Sequence, residues 1–209
     1  MDKRIVFFFD GFNLWHALDH NPALRNKNQY HKYKWLNLHR LAQCFVPEKE
    51  IAGLYYFTAL AVWDPNKVAR HKTYISALRS VGAKIIFGNF KLRDKKCHLC
   101  QGIYKAYEEK HTDVNIAITL FQSALKDEYD TAIIVSGDSD LVPAIEAVKM
   151  TFPGKQMGVM IPIGRRAELL KQVTDFKMKI KESHLAISQF PDEINLGEGT
   201  MLKRPESWK

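Results

Sequence analysis

The stretch Ile133-Ile134-Val135-Ser136-Gly137-Asp138-Ser139-Asp140 decides how this chain is read. Ala132 to Val135 is a short, β-branched apolar run, as expected of a strand covered on both faces. Gly137 permits a sharp turn that a side chain would hinder. Ser139 or Asp140 suits the cap of a following helix, and Pro143 is tolerated in that helix's first turn. The stretch therefore puts Asp138 and Asp140 at the carboxyl end of a buried strand, where open α/β sheets carry their ligand crevices. Asp and Ser are also ordinary cap residues, so this stretch alone leaves a purely structural role open.

Working outward, Ile5 to Phe9 is a second continuous apolar run. It ends at Asp10-Gly11-Phe12-Asn13, which gives a second acidic turn at the end of a second buried strand. Ile51 to Ala61, Ala83 to Phe87 and Met157 to Ile161 read as further strands. Helices are predicted over Leu14 to Leu18, Trp35 to Ala42, Leu141 to Lys149 and Ala167 to Val173. Another starts at Asp64-Pro65, with Asp as cap and Pro at the first position. Thr112 reads as the cap of an amphipathic helix, with Val114, Ala117, Ile118, Phe121, Ala124 and Leu125 as its apolar stripe. Asp175 to Leu185 reads as a small strand plus a terminal helix. Strands alternating with helices predict one α/β domain over residues 1–187, with a mainly parallel sheet. Right-handed crossovers then bring all strand carboxyl ends to one rim. Residues 188–209, with Pro191, Gly197, Gly199 and Pro205 and no periodicity, read as a loosely held tail.

A 46% hydrophobic fraction and four Trp in 209 residues exclude a disordered chain. A formal charge of +8 suits a phosphate-rich partner such as RNA. Arg25, Lys27, Lys32 and Lys34 interleave with Tyr30 and Tyr33 between Asn21-Pro22 and Trp35, a pattern suited to single-stranded nucleic acid or to a solvated excursion. Lys67 and Arg70, Lys91 and Arg93, and Arg165 and Arg166 are further candidate phosphate contacts, and equally candidate solvated charges. Three Cys argue against a disulfide scaffold and for a reducing compartment. No apolar run approaches the ~20 residues that span a bilayer, and the five apolar residues before Asp10 are too few for a signal-peptide core. The expectation is a cytoplasmic protein that engages no membrane.

Asp10, Asp138 and Asp140 share the rim in this reading, and the start of the helix carrying Asp113 falls there too. Converging carboxylates repel one another, and a divalent cation removes that conflict. Oxygen ligands without His or Cys suit Mg²⁺ or Mn²⁺ rather than Zn²⁺. Such a site holds a phosphodiester, lowers the pKa of a bound water and stabilises the leaving oxygen. Asn13 could orient a water or a phosphate oxygen. The chemistry is hydrolysis, and it needs no side-chain nucleophile.

The Asp10-Gly11-Phe12-Asn13 turn, the Glu109-Lys110-His111-Thr112-Asp113-Val114-Asn115 helix start and Ser136-Gly137-Asp138-Ser139-Asp140-Leu141-Val142-Pro143 together resemble the NYN domain, in the LabA-like branch of the PIN-like nuclease superfamily. The resemblance covers roughly residues 4 to 187. It implies a three-layer, Rossmann-like α/β/α sandwich of about five strands in the order 3-2-1-4-5. It also implies metal-dependent cleavage of RNA, with Asp10, Asp113, Asp138 and Asp140 as metal ligands and Asn13 as an accessory. The expected function is thus a divalent-metal-dependent endoribonuclease. The alternatives are an RNA-binding or assembly module that keeps the acidic pocket without efficient turnover, and a phosphatase.

Cys97 and Cys100 supply two thiols, whereas a structural zinc site takes four ligands. Two loop thiols are the simpler reading, although a second subunit in a homodimer could complete such a set. A P-loop is missing, which argues against nucleotide hydrolysis of that kind. The strand–Asp10 start is also similar to that of haloacid-dehalogenase-like phosphatases, but Phe12 stands where that family needs a second Asp.

Overall fold

In a computed structural model, residues 3–19, 29–197 and 199–208 are described. Asn21, Pro22, Arg25 and Lys27 of the basic excursion lie outside the described residues. The core is a six-stranded, wholly parallel sheet. Its centre is β1 (Ile5–Asp10), between β2 (Ile51–Thr58) and β6 (Thr131–Val135). Outside β2 lies β3 (Ala83–Phe87), and outside β6 lie β7 (Gln156–Ile161) and β8 (Phe176–Lys179). The first five parallel strands follow the expected 3-2-1-4-5 order, and β8 extends it by one.

Side chains alternate along the strands and so build two cores, one on each side of the sheet. Phe7, Phe9, Tyr56 and Val135 face one side. There they meet α1 (Gly11–Asp19), α2 (Leu38–Gln43), α3 (Pro65–Ser80) and α7 (Glu182–Ile187). Phe8, Phe57, Ile134 and Val159 face the other side, against α4 (Thr112–Leu125), α5 (Val142–Thr151) and α6 (Glu168–Val173). This is the three-layer α/β/α sandwich. No helix among the described residues is long and apolar enough to cross a membrane.

Three local expectations change. The buried stripe of α4 is Thr112, Ile116, Leu120, Ser123 and Ala124. Val114, Ile118 and Leu125 are exposed. Both stripes satisfy helical spacing, and the sheet selects the one whose residues meet Phe8 and Ile134. Second, the basic segment after β3, to which the sequence assigned no element, forms a strand. It is β4 (Asn89–Lys96), paired antiparallel with β5 (Ile103–Lys110) in a hairpin outside the main sheet. Its polar, weakly alternating residues hide it from any reading that looks for buried strands.

The third change concerns residues 188–197 and 199–208, which pack rather than hang free. The Phe190 N–H donates to the Trp35 carbonyl at 3.0 Å, and the Trp35 indole donates to the Pro191 carbonyl at 2.8 Å. A small hairpin, β9 (Glu193–Asn195) with β10 (Met201–Lys203), follows. It returns the chain so that Trp208, 5% exposed, packs among Trp15, Trp35 and Tyr74. Isolated aromatic anchors carry no periodicity, so composition could not show them. Trp208→Ala should cost about 3 kcal/mol or more, read as a lower midpoint in urea unfolding; an unchanged midpoint would show that the segment is not part of the folded unit.

Candidate active site

The site forms where β1 and β6 end side by side, with Phe9 paired to Val135. Asp10, 3% exposed, closes β1. Its Oδ1 accepts the Asn13 N–H at 2.9 Å, and its Oδ2 accepts the Ser136 hydroxyl at 2.7 Å. Ser136 Oγ in turn accepts the Asp138 N–H at 3.0 Å. Asn13 Oδ1 accepts the Gly137 N–H, also at 3.0 Å. The two acidic turns are therefore clasped by hydrogen bonds, and Ser136, which the motif reading left without a role, joins them.

Gly137 earns its place differently from expectation. Its φ is not in the left-handed region. A Cβ on it would lie 2.9 Å from the Arg166 carbonyl oxygen, so glycine is required by close approach rather than by a turn. The helix cap also differs. Asp138 Oδ1 accepts the Asp140 N–H at 3.0 Å, so Asp138 itself caps the short turn Ser139–Leu141 that leads into α5.

Asp113 comes from the first turn of α4. His111, with φ of 78°, turns the chain from β5 into that helix. Glu109 satisfies the helix start by accepting from the Thr112 N–H at 3.0 Å and from the Thr112 hydroxyl. The capping side chain is thus Glu109, not Thr112.

Asp10, Asn13, Glu109, Asp113, Asp138 and Arg165 line one cleft of about 140 Å³. Asp140 is exposed and is not among the residues that line the cleft, although its charge reaches Asp113. Burial, opposed by the hydrogen bonds from Asn13 and Ser136, pushes the Asp10 carboxyl up. Burial and then the charges of Asp10, Asp138, Glu109 and Asp140 push Asp113 up to about 6. Arg165 faces this cluster with its Nε buried and without a hydrogen-bond partner among the described residues. An all-oxygen donor set under mutual repulsion fits a hard divalent cation such as Mg²⁺ or Mn²⁺. Among the described residues no three His, Cys, Asp or Glu side chains are gathered tightly enough to hold an ion as they stand. The fit therefore rests on donor chemistry.

A second, larger hollow of about 740 Å³ adjoins the cleft and shares Phe12, His16 and Glu109 with it. Lys67 and Arg70 line it. The other basic candidates scatter. Lys34 is buried against Asp19 and His31 and lies over the Trp15 ring, so it is a structural charge rather than a free phosphate contact. Lys32 is exposed beside Glu182 and Tyr33. Lys91 and Arg93 are exposed on the face of β4 opposite Phe90 and Leu92. Arg166 is exposed, with its carbonyl against Gly137. Cys97 and Cys100 are free thiols at the tip of the β4–β5 hairpin, where the backbone of Cys100 and Leu99 holds the Cys97 thiol below its ordinary pKa.

Residues 4–178 match the NYN domain, and the chain belongs to that family. The family lies within the PIN-like nuclease superfamily, and its nucleases act on RNA. The chain is also 24% identical to 6-hydroxy-3-succinoylpyridine 3-monooxygenase HspA of Pseudomonas putida, over 98% of this chain and 75% of that protein. The crystal structure of a protein of unknown function, VPA0982, from Vibrio parahaemolyticus superposes with a TM-score of 0.60 at 19% identity. That match covers 87% of this chain and 94% of the other, and it shows a shared fold.

The raised Asp113 pKa has a definite sign in stability. The folded carboxyl binds its proton near pH 6 and the unfolded one near 4, so falling pH stabilises the metal-free fold through that window. Above pH 6 the full repulsion is present. Asp113→Asn should therefore raise Tm in EDTA at pH 7 by roughly 2–4 °C, the size of about 1 kcal/mol after water has screened part of the effect. The gain should vanish at pH 4; a gain independent of pH would mean that charge is not its source.

Proposed function

We propose that the protein is a divalent-metal-dependent ribonuclease acting at the cleft of Asp10, Asp113 and Asp138. The observation that carries this reading is the meeting, on the carboxyl rim of the sheet, of three carboxylates and an arginine whose Nε is buried and without a hydrogen-bond partner among the described residues. A magnesium-class ion bound there would supply an activated water and charge neutralisation for phosphodiester hydrolysis. Asp10, Asp113 and Asp138 would hold it, with Asp140 completing the set from the edge. Arg165 would take a non-bridging oxygen of the scissile phosphate, which satisfies its buried Nε. Asn13 is fixed by the bond from its backbone N–H to Asp10 and by the Gly137 N–H bonded to its Oδ1, which leaves its side-chain N–H groups spent on neither. They would orient the phosphate.

Asp138→Asn tests this cleanly. Asn keeps an oxygen to accept the Asp140 N–H, so the turn into α5 should survive. Loss of one anionic ligand should lower Mn²⁺-dependent cleavage of RNA by about 10²–10³. RNA affinity in EDTA should change little, because basic groups supply most of it. Equal cleavage by the wild type and the variant would overturn the reading. Binding without cleavage by the wild type would instead favour the RNA-binding module.

A second reading, monooxygenation of a hydroxypyridine, is favoured by the Pseudomonas putida relative together with the large hollow beside the cleft. Oxygen uptake on adding 6-hydroxy-3-succinoylpyridine and a reduced nicotinamide supports it, and no uptake above background removes it.

A further inference from the structure

The larger hollow has walls that a core void would not have. On one side Trp63 and Tyr107 stack face to face, with ring centroids 3.6 Å apart and planes within 2°. Phe90 meets Trp63 edge-on at 4.8 Å and Phe12 edge-on at 5.6 Å. A chain of four rings therefore runs from the first acidic turn to the β4–β5 hairpin. On the other side Tyr56, Tyr74, Trp208 and Trp15 form a second chain, with centroids 5.4–5.9 Å apart. Trp63 is 37% exposed and Tyr107 is also exposed, so costly aromatic surface is left facing water.

Polar groups converge on the same space. Arg70 makes no salt bridge among the described residues, and Lys67 has only a surface pair with Asp64 at 3.4 Å. Lys34 is already neutralised by Asp19. His71, held neutral by burial with a pKa of about 4, bonds the Thr58 hydroxyl at 3.1 Å. Lys95 lines the hollow too, while its carboxylates Asp19, Glu108 and Glu109 are engaged by Lys34, Lys110 and Thr112, so three available cations beside an aromatic wall, in a volume within the range of small-ligand sites, define what fits.

We propose that this hollow binds a planar heteroaromatic ring bearing an anionic group, with the ring against the Trp63–Tyr107 wall and the anion at Arg70 and Lys67. Two sources offer that chemistry: one nucleotide of an RNA strand, or a free aromatic acid. The RNA source rests on the ribonuclease reading. Phe12, His16 and Glu109 belong to both hollows, so a base seated here would lie next to a phosphodiester in the acid cleft.

Trp15, Trp63 and Trp208 line the hollow, so intrinsic fluorescence reports its filling. The full chain in EDTA is titrated with adenosine monophosphate, adenosine, nicotinate and a short oligoribonucleotide. Saturable quenching by the charged ligands is expected, weakened about tenfold by Trp63→Ala and by Arg70→Gln. Trp63→Phe should restore part of the loss, which separates stacking from misfolding. Quenching by the monophosphate and nicotinate supports the site and allows a free acid as its source. Quenching by the oligoribonucleotide alone supports the site with RNA as the source. No saturable quenching, quenching indifferent to both variants, or equal binding of adenosine and its monophosphate overturns the proposal. The ribonuclease reading stands apart from these outcomes, because Asp138→Asn decides it through cleavage.

Discussion

A buried carboxylate without partners is not tolerated in a folded protein, and the hydrogen bond from Ser136 to Asp10 answers that constraint. It joins two turns that are 126 residues apart in sequence. It exists only because β1 and β6 are neighbours in the register that sets Phe9 beside Val135. A slip of one residue would exchange the two faces of β1, sending Phe8 to the layer of α1 and turning Asp10 away from Ser136. The sheet's register and the site's geometry are therefore a single specification.

The parts of the fold that were legible in the sequence are those with a local signal. Phe7 to Phe9 and Ile133 to Val135 are apolar on both faces, which marks central parallel strands. The Asp64-Pro65 helix start is as written, with the Asp64 carboxylate accepting the Lys67 N–H. The rim acids were legible because alternating strands and helices force strand ends together. What escaped had no local signal. Glu109 opens the helix-start motif with no role of its own, and only its bonds to Thr112 and its place in the cleft lining give it one. The large hollow draws its walls from α1, β2, α3, the β4–β5 hairpin and the end of the chain, so no window of sequence contains it. Lys34 misled because its surroundings in sequence are basic and solvated, while its surroundings in space are Asp19 and Trp15.

The β4–β5 hairpin links these observations. It lies outside the main sheet, yet its base supplies Glu109 to the acid cleft, and Phe90 and Tyr107 to the aromatic wall. Its outer residues, Leu99 and Ile103 among them, are exposed. One arm thus serves both hollows, through Lys95 as well as its root, while its turn from Cys97 to Gly102 contributes to neither.

Gly137 shows how a position with no functional group can shape a cleft. The missing side chain lets the Arg166 carbonyl approach, and that approach seats the neighbouring guanidinium opposite the acids. The gauge between cation and anions is set by an empty volume. A methyl group there would act as a wedge, moving charge without altering any. A survey that scored only polar residues would pass over the position that keeps the two halves of the cleft in calibration.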